Sequence, residues 1–168
     1  MEHRTVRIAA LALAIAVFPA WAQQAATLRL QIGFTKPTTF DVAALDKCKA
    51  RDVEIRMRAE AGRDATSRRY TGCPLRDLIR QAEPTEARPR DLRKSYFLVT
   101  ATDGYQVVFS WAELFLTPLG DDVVVAYRRD GRPLSDDEGP LALVSAMDTS
   151  AARHVKNLQS VELRVGGQ

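Results

Sequence analysis

Two short apolar runs, Tyr96 to Ala101 and Tyr105 to Phe109, flank an Asp103-Gly104 pair, and this stretch constrains the fold more than any other. Asp-Gly between apolar segments of strand length is a hairpin signal, because glycine takes the positive φ that a tight turn demands. Similar segments recur along the chain. Thr27 to Gly33 alternates Leu28, Leu30 and Ile32 with Arg29 and Gln31, and Val53, Ile55 and Met57 alternate with Glu54, Arg56 and Arg58. Both read as half-buried strands. Val123 to Tyr127 and Leu141 to Ser145 are continuous apolar runs, Asp130-Gly131 turns the chain into Arg132-Pro133-Leu134, and Leu158 to Val165 alternates as a last strand.

Helical signals are few and short. Thr39 is read as the N-cap of a short helix that carries Val42, Ala43, Ala44 and Leu45 and ends before Arg51. Leu75, Leu78 and Ile79 begin a second helix, with Pro74 in the first turn where no amide bond is lost. Ser110-Trp111-Ala112-Glu113 is a capping box, which sets a helix start directly after the hairpin. Ala59 to Arg69 is polar without periodicity and reads as a loop, and Pro84 to Arg90 as a turn-rich connector. No repeat or internal boundary interrupts the chain. Many short strands with few short helices predict one α+β domain with a mixed β-sheet core.

The amino terminus is different in kind. His3, Arg4 and Arg7 precede an almost wholly apolar run from Ile8 to Pro19, and Ala20-Trp21-Ala22 supplies small residues at a cleavage site. The apolar run is short of the roughly 20 residues that span a bilayer. Residues 1–22 are therefore expected to be a cleaved secretory signal and 23–168 a mature periplasmic domain, not embedded in the membrane. An uncleaved anchor is the rival reading. The formal charge of +3 comes from basic and acidic side chains that alternate in sign, so the chain lacks the basic patch of a nucleic-acid-binding protein. The two cysteines, Cys48 and Cys73, are a candidate disulfide in an oxidising compartment. Two small buried apolar side chains are the alternative.

Familiar catalytic groupings are missing. Beyond the leader the only histidine is His154, there is no Gly-x-Ser-x-Gly elbow, and neither a P-loop nor a Gly-x-Gly-x-x-Gly occurs. A lone histidine without thiol or carboxylate at ligand spacing makes a poor metal site. Asp121-Asp122 and Asp136-Asp137-Glu138 are paired acids in turns and read as solvated loops.

Five segments in order carry a family resemblance. Tyr70-Thr71-Gly72-Cys73-Pro74-Leu75-Arg76-Asp77-Leu78, Thr102-Asp103-Gly104-Tyr105 running to Glu113-Leu114, and Val123 to Tyr127 followed by Asp130 to Leu134 are the first three. Gly139-Pro140-Leu141-Ala142-Leu143-Val144 and Arg153-His154-Val155-Lys156-Asn157-Leu158 complete the series. Together they resemble the sulfite-oxidase-like, oxidoreductase molybdopterin-binding domain. The resemblance implies that fold and a cavity shaped for a pterin. It also exposes a departure. Metal-bearing members carry a cysteine ligand in a loop after an early strand, and here the corresponding stretch is Met57 to Arg63, without a thiol. Soft thiolates are what hold such metals, so no metal is expected.

What the resemblance implies for function is a pterin-type ligand, similar to small periplasmic pterin-binding proteins that partner membrane cyclic-di-GMP sensors. A non-catalytic binding protein is the first expectation. A molybdopterin-dependent oxidoreductase or its subunit, and a scaffold with an empty pocket, are the alternatives. Trp111, read as an exposed first-turn residue, offers a plane for stacking; Arg58 and Arg63 lie beside the missing thiolate and offer guanidinium donors. Asp103 offers an acceptor for an amino-pyrimidine edge, and Asp148, Arg153 and His154 lie in the loop before the last strand, where a polar ligand tail would rest.

Overall fold

Ten strands arrange into two five-stranded sheets in the computed structural model, which describes residues 27–32, 36–57, 66–82 and 92–166. The leader expected at 1–22 lies outside the described residues. The first sheet runs in the order β2 (Thr38–Asp41), β1 (Thr27–Gln31), β10 (Leu158–Val165), β5 (Ser95–Ala101), β6 (Gln106–Ser110). Only β1 and β10 pair in parallel within it, so the sheet is mixed. The second sheet places β3 (Arg51–Met57) beside β4 (Thr66–Pro74) and then β7 (Val123–Arg129). The far edge of β7 is shared by β9 (Ala142–Ser145) and the two-residue β8 (Arg132–Pro133).

The continuous apolar character of β7 follows from its place. Val123, Val125 and Tyr127 belong to the main core with Leu28, Phe97, Phe109 and Val161 of the first sheet. Val124 and Ala126 turn the other way, into a smaller cluster with Val53, Tyr70 and Val144. A strand covered on both faces has no polar alternation to show. Among the described residues four short helices close the main core: α1 (Val42–Leu45), α2 (Leu75–Gln81), α3 (Trp111–Leu116) and α4 (Leu119–Asp122). Leu45, Leu75, Leu78 and Leu114 are their fully buried leucines.

Local chemistry explains each boundary. Ser110 Oγ accepts the Glu113 amide at 3.1 Å while Glu113 Oε2 accepts the Ser110 amide at 2.7 Å, the capping box that the residues spell out. Gly104 has φ +87° in the hairpin turn. Two local readings change. Thr39 lies inside β2, and the cap of α1 is Asp41, whose carboxylate accepts the Ala44 amide at 2.6 Å, because the strand runs straight into the helix. Thr66 to Arg69 is strand and not loop, since it pairs with β3 over Glu54 to Met57. Ser67 and Arg69 lie on the exposed face of that hairpin.

Cys48 and Cys73 are bridged, with Cα atoms 6.1 Å apart. The bridge ties the segment after α1 to the end of β4. Beside it, Gly72 sits at a register shift of β4 against β7, and a Cβ there would lie 2.2 Å from the Val125 carbonyl oxygen.

Candidate ligand-binding cleft

The turn from Ser135 to Gly139 aims a carboxylate inward. The Glu138 and Gly139 amides both donate to the Ser135 carbonyl, at 2.9 and 3.0 Å, and Gly139 has φ +72°. Glycine is required twice over here, because a Cβ would also lie 2.2 Å from Asn157 Oδ1. The Asn157 amide in turn donates to the Glu138 carbonyl at 2.8 Å. So held, Glu138 is 1% exposed. This corrects the reading of Asp136-Asp137-Glu138 as a solvated run: Asp136 and Asp137 are exposed, and Glu138 is not.

A buried carboxylate needs partners, and Glu138 has three. The Tyr70 hydroxyl donates at 2.7 Å, Ser135 Oγ lies at 2.9 Å, and the Arg129 guanidinium forms an ion pair. Burial pushes the Glu138 pKa up, but the Tyr70 and Ser135 hydrogen bonds and the Arg129 charge outweigh it and hold it below the ordinary value. Burial, followed by the Glu138 contact, raises the Tyr70 phenol.

His154 stands edge-on to Tyr70, ring centroids 5.5 Å apart and planes at 89°. Its Nε2 is sealed from solvent and has no hydrogen-bond partner among the described residues. Burial lowers its pKa; Glu138 pulls upward while Lys156, Arg68 and Arg129 push further down, which favours the neutral ring. An orphaned polar atom of this kind costs about 1–3 kcal/mol.

Around this histidine lies a cleft of about 290 Å³. Ala101, Asp103 and Tyr105 of the β5–β6 hairpin form one wall, and Arg68 of β4 with Glu138 form the other. Ala151, His154 and Lys156 of the segment leading into β10 join them. Asp103 Oδ1 accepts the Tyr105 amide at 2.9 Å, leaving Oδ2 without a partner among the described residues. The Tyr105 hydroxyl donates to the Ala152 carbonyl, which fixes its ring at the rim. Lys156 is tied to Asp137 at 2.9 Å, both exposed. The volume is at the low end for small-molecule sites and suits a bicyclic ring.

A larger concavity of about 500 Å³ lies over Asp52, Glu54, Ser67, Arg69, Thr71 and Asp130. Its groups already satisfy one another: Thr71 donates to Asp52 at 2.6 Å, Ser67 to Glu54, and the Arg69 amide to Asp130 at 3.0 Å. The smaller cleft, with an unpaired buried atom, is the better candidate.

Of the expected ligand residues, Asp103 and His154 converge on the cleft. Arg153 and Asp148 instead pair with each other through two bonds, Nε to Oδ2 at 2.9 Å and Nη2 to Oδ1 at 2.5 Å. Arg153 also reaches Glu113 at 3.2 Å and covers the Phe109 ring at 4.2 Å. Its bonds to Asp148 raise its pKa despite burial. It is a clamp that seats the loop against α3. Trp111 is half-buried and stacks on Phe115, centroids 5.1 Å apart, so the expected free ring face is used in packing. Arg58 and Arg63 lie outside the described residues. Arg68, Tyr105, Glu138 and Lys156 also line the cleft and are not among the ligand residues that the sequence suggests.

Fold and cleft together define a two-sheet α+β binding domain of sulfite-oxidase-like architecture. A family model for the oxidoreductase molybdopterin binding domain matches residues 16–166, and the chain belongs to that family. Among solved structures, the sulfane dehydrogenase SoxCD from Paracoccus pantotrophus is similar in fold, with TM-score 0.63 and 17% identity over 84% of this chain. The match takes in 39% of that chain, so the present chain spans less than half of its length. A comparison with curated proteins gave no match.

The family's cofactor fits these residues only in part. A soft metal held by protein sulfur needs a thiolate. The chain has two cysteines, both sulfurs are in the bridge, and Cys73 is 0% exposed. A thiolate-held metal therefore does not fit. A flat heterocycle does: the Asp103 oxygen without a partner among the described residues, the Arg68 side chain and the His154 and Tyr105 rings line one cleft and offer the mixed polar and aromatic contacts it requires.

Proposed function

We propose that this chain is an exported, non-catalytic pterin-binding protein whose cleft takes a pterin-type ring without metal. The convergence of Arg68, Asp103, Tyr105 and His154 on one cleft, with an Asp103 oxygen that has no partner among the described residues, carries the reading. Asp103 accepts from the amino-pyrimidine edge, Arg68 faces ring oxygens, and Tyr105 lies along the ring at the rim. Glu138 and Arg129 bind nothing themselves; they hold Tyr70 and hence the His154 ring in place. The basic, apolar and small-residue pattern of 1–22 supports export to the periplasm.

A binding protein without chemistry of its own acts by reporting occupancy. The proposed listener is the periplasmic domain of a membrane cyclic-di-GMP sensor, and the rim offers it exposed apolar surface at Tyr105 (45%). The family match supports a second reading, a molybdopterin-dependent oxidoreductase, which requires a metal held by something other than a protein thiolate.

Fluorescence titration with pterin and with lumazine, which has an oxygen where pterin has its amino group, tests the amino-edge contact. The protein should prefer pterin by about tenfold, the worth of one hydrogen bond. Asp103→Asn keeps an acceptor for the Tyr105 amide and should lose most of that preference. Equal affinities in the unmodified protein would sink the amino-edge assignment.

A further inference from the structure

Among the described residues, every sheet edge but one is guarded. β3 carries Arg51, Asp52, Glu54 and Arg56, the short β2 follows Pro37 and ends in Asp41, and β8 is Arg132-Pro133. The free side of β9 is taken by the Leu143–Val155 bridge. Charge, proline and shortness are the usual means of stopping strand edges from pairing. β6 has neither charge nor proline. Gln106-Val107-Val108-Phe109-Ser110 ends the first sheet, has β5 as its one strand partner among the described residues, and leaves Val108 47% exposed.

We propose that β6 is a docking edge for a second copy of this chain, which pairs antiparallel with its counterpart about a two-fold axis at Val107. The inference rests on the fold and is independent of what the cleft binds. The hairpin fixes which backbone groups are free. The Ala101 amide donates to the Tyr105 carbonyl at 2.9 Å, and the register then sets Val99 opposite Val107 and Phe97 opposite Phe109. Antiparallel bonding alternates, so Val107 and Phe109 direct their backbone groups to β5, while Gln106, Val108 and Ser110 turn theirs outward. Ser110 agrees with this phase, since its amide donates away from β5 to Glu113 Oε2 at 2.7 Å. The N–H and C=O of Gln106 and of Val108 are what the edge leaves bare.

An antiparallel copy centred on Val107 sets Gln106 of each chain opposite Val108 of the other. Each such pair exchanges both backbone bonds, so the bare groups satisfy one another and the Ser110 cap stays out of the ladder. The side chains point the same way. Val108 lies directly across from Leu98 on the face of its sheet that turns away from the core. The two-fold makes the two Val108 side chains diagonal neighbours and joins both pairs into one apolar stripe. Any of the charged edges would set Arg, Asp or Glu beside Val108, whereas β6 of a copy sets only Gln106 there. A symmetric contact of this kind closes at two copies and does not propagate.

Five residues make a small interface, so the dimer belongs to the weak class, with a Kd of about 100 µM. Sedimentation of the unmodified protein should show the average mass rising from near one chain at about 10 µM to nearly two at about 1 mM. Val108→Lys changes an exposed side chain. It should hold the mass at one chain across that range and move the thermal midpoint by no more than about 2 °C. Hydrogen exchange read by mass spectrometry needs no variant. The segment holding Gln106 and Val108 should exchange about fivefold more slowly at the high concentration, while the β3 edge stays unchanged. A mass of one chain at about 1 mM would overturn the inference. So would a dimer that Val108→Lys leaves intact, because its contact would lie on another surface.

Discussion

Tyr70 gives its hydroxyl proton to Glu138 across 2.7 Å, joining two side chains 68 residues apart in the chain. That bond fixes the ring against which His154 stands, so the cleft wall depends on a buried carboxylate that itself need not touch a ligand. Removing the carboxylate leaves the Tyr70 hydroxyl and the Arg129 charge without their main partner. Glu138→Ala should cost about 3 kcal/mol, toward the low end for a broken buried pair because Arg129 is partly solvated. Chemical denaturation checks the size.

The same carboxylate predicts a pH signature. Its native pKa lies below the ordinary 4.5, so its contribution is complete above that value and is lost as pH falls through the native one. The stability gap between the unmodified protein and Glu138→Gln should be widest near neutral pH and should close in acid below 4.5. Denaturation midpoints measured from pH 7 down to pH 3 give the curve. A gap that stays constant would mean that the charge on Glu138 does not contribute.

Bridging Cys48 and Cys73 closes a loop of 25 residues, worth about 3 kcal/mol in the chain-entropy account. The Cys48→Ala, Cys73→Ala double variant should unfold at correspondingly lower denaturant and still fold. Thiol titration of the denatured, unreduced protein should find no free sulfhydryl. Two free thiols per chain would restore candidate metal ligands and remove the argument against thiolate ligation.

Arg153→Lys probes the clamp. An ammonium can neither take both Asp148 oxygens in one plane nor lie flat over Phe109, so this change is not conservative. A loss of about 1.5 kcal/mol is expected, in the range of charge-assisted bonds partly replaced. Thermal unfolding should fall by about 3–6 °C for a domain of this size.

Trp111→Ala separates packing from recognition. The ring stacks on Phe115 and is half-buried, so its loss should cost about 2 kcal/mol of stability. Pterin affinity should stay within about twofold, inside the scatter of a change that touches no ligand. A tenfold loss of affinity in a folded variant would return Trp111 to the binding site.

Features fixed by neighbours in sequence were legible. The Asp103-Gly104 turn, the Ser110–Glu113 capping box and the buried β7 run each depend on residues within one element, and each stands in the structure as read. Thr66 to Arg69 was misread because its strand identity comes from pairing with β3, not from its own apolar content. Glu138 was hidden for a similar reason. Three acids in a row look solvated, and only Tyr70 and Arg129, on other strands, make the third one buried. Arg153 looked like a ligand donor because its partner Glu113 is 40 residues away and on another element. Asp103 and His154 were singled out from separate loops, while their meeting in one cleft follows from the packing of the sheets.

The central claim is that the cleft holds a pterin-type ring and that no protein thiolate holds a metal there. The most direct measurement takes the protein from a periplasmic preparation without denaturation, releases its small molecule, identifies it by mass and fluorescence, and assays molybdenum in the same sample. The account predicts a pterin with molybdenum far below one atom per chain. Molybdenum at one atom per chain would contradict it and establish a metal-dependent oxidoreductase reading in its place.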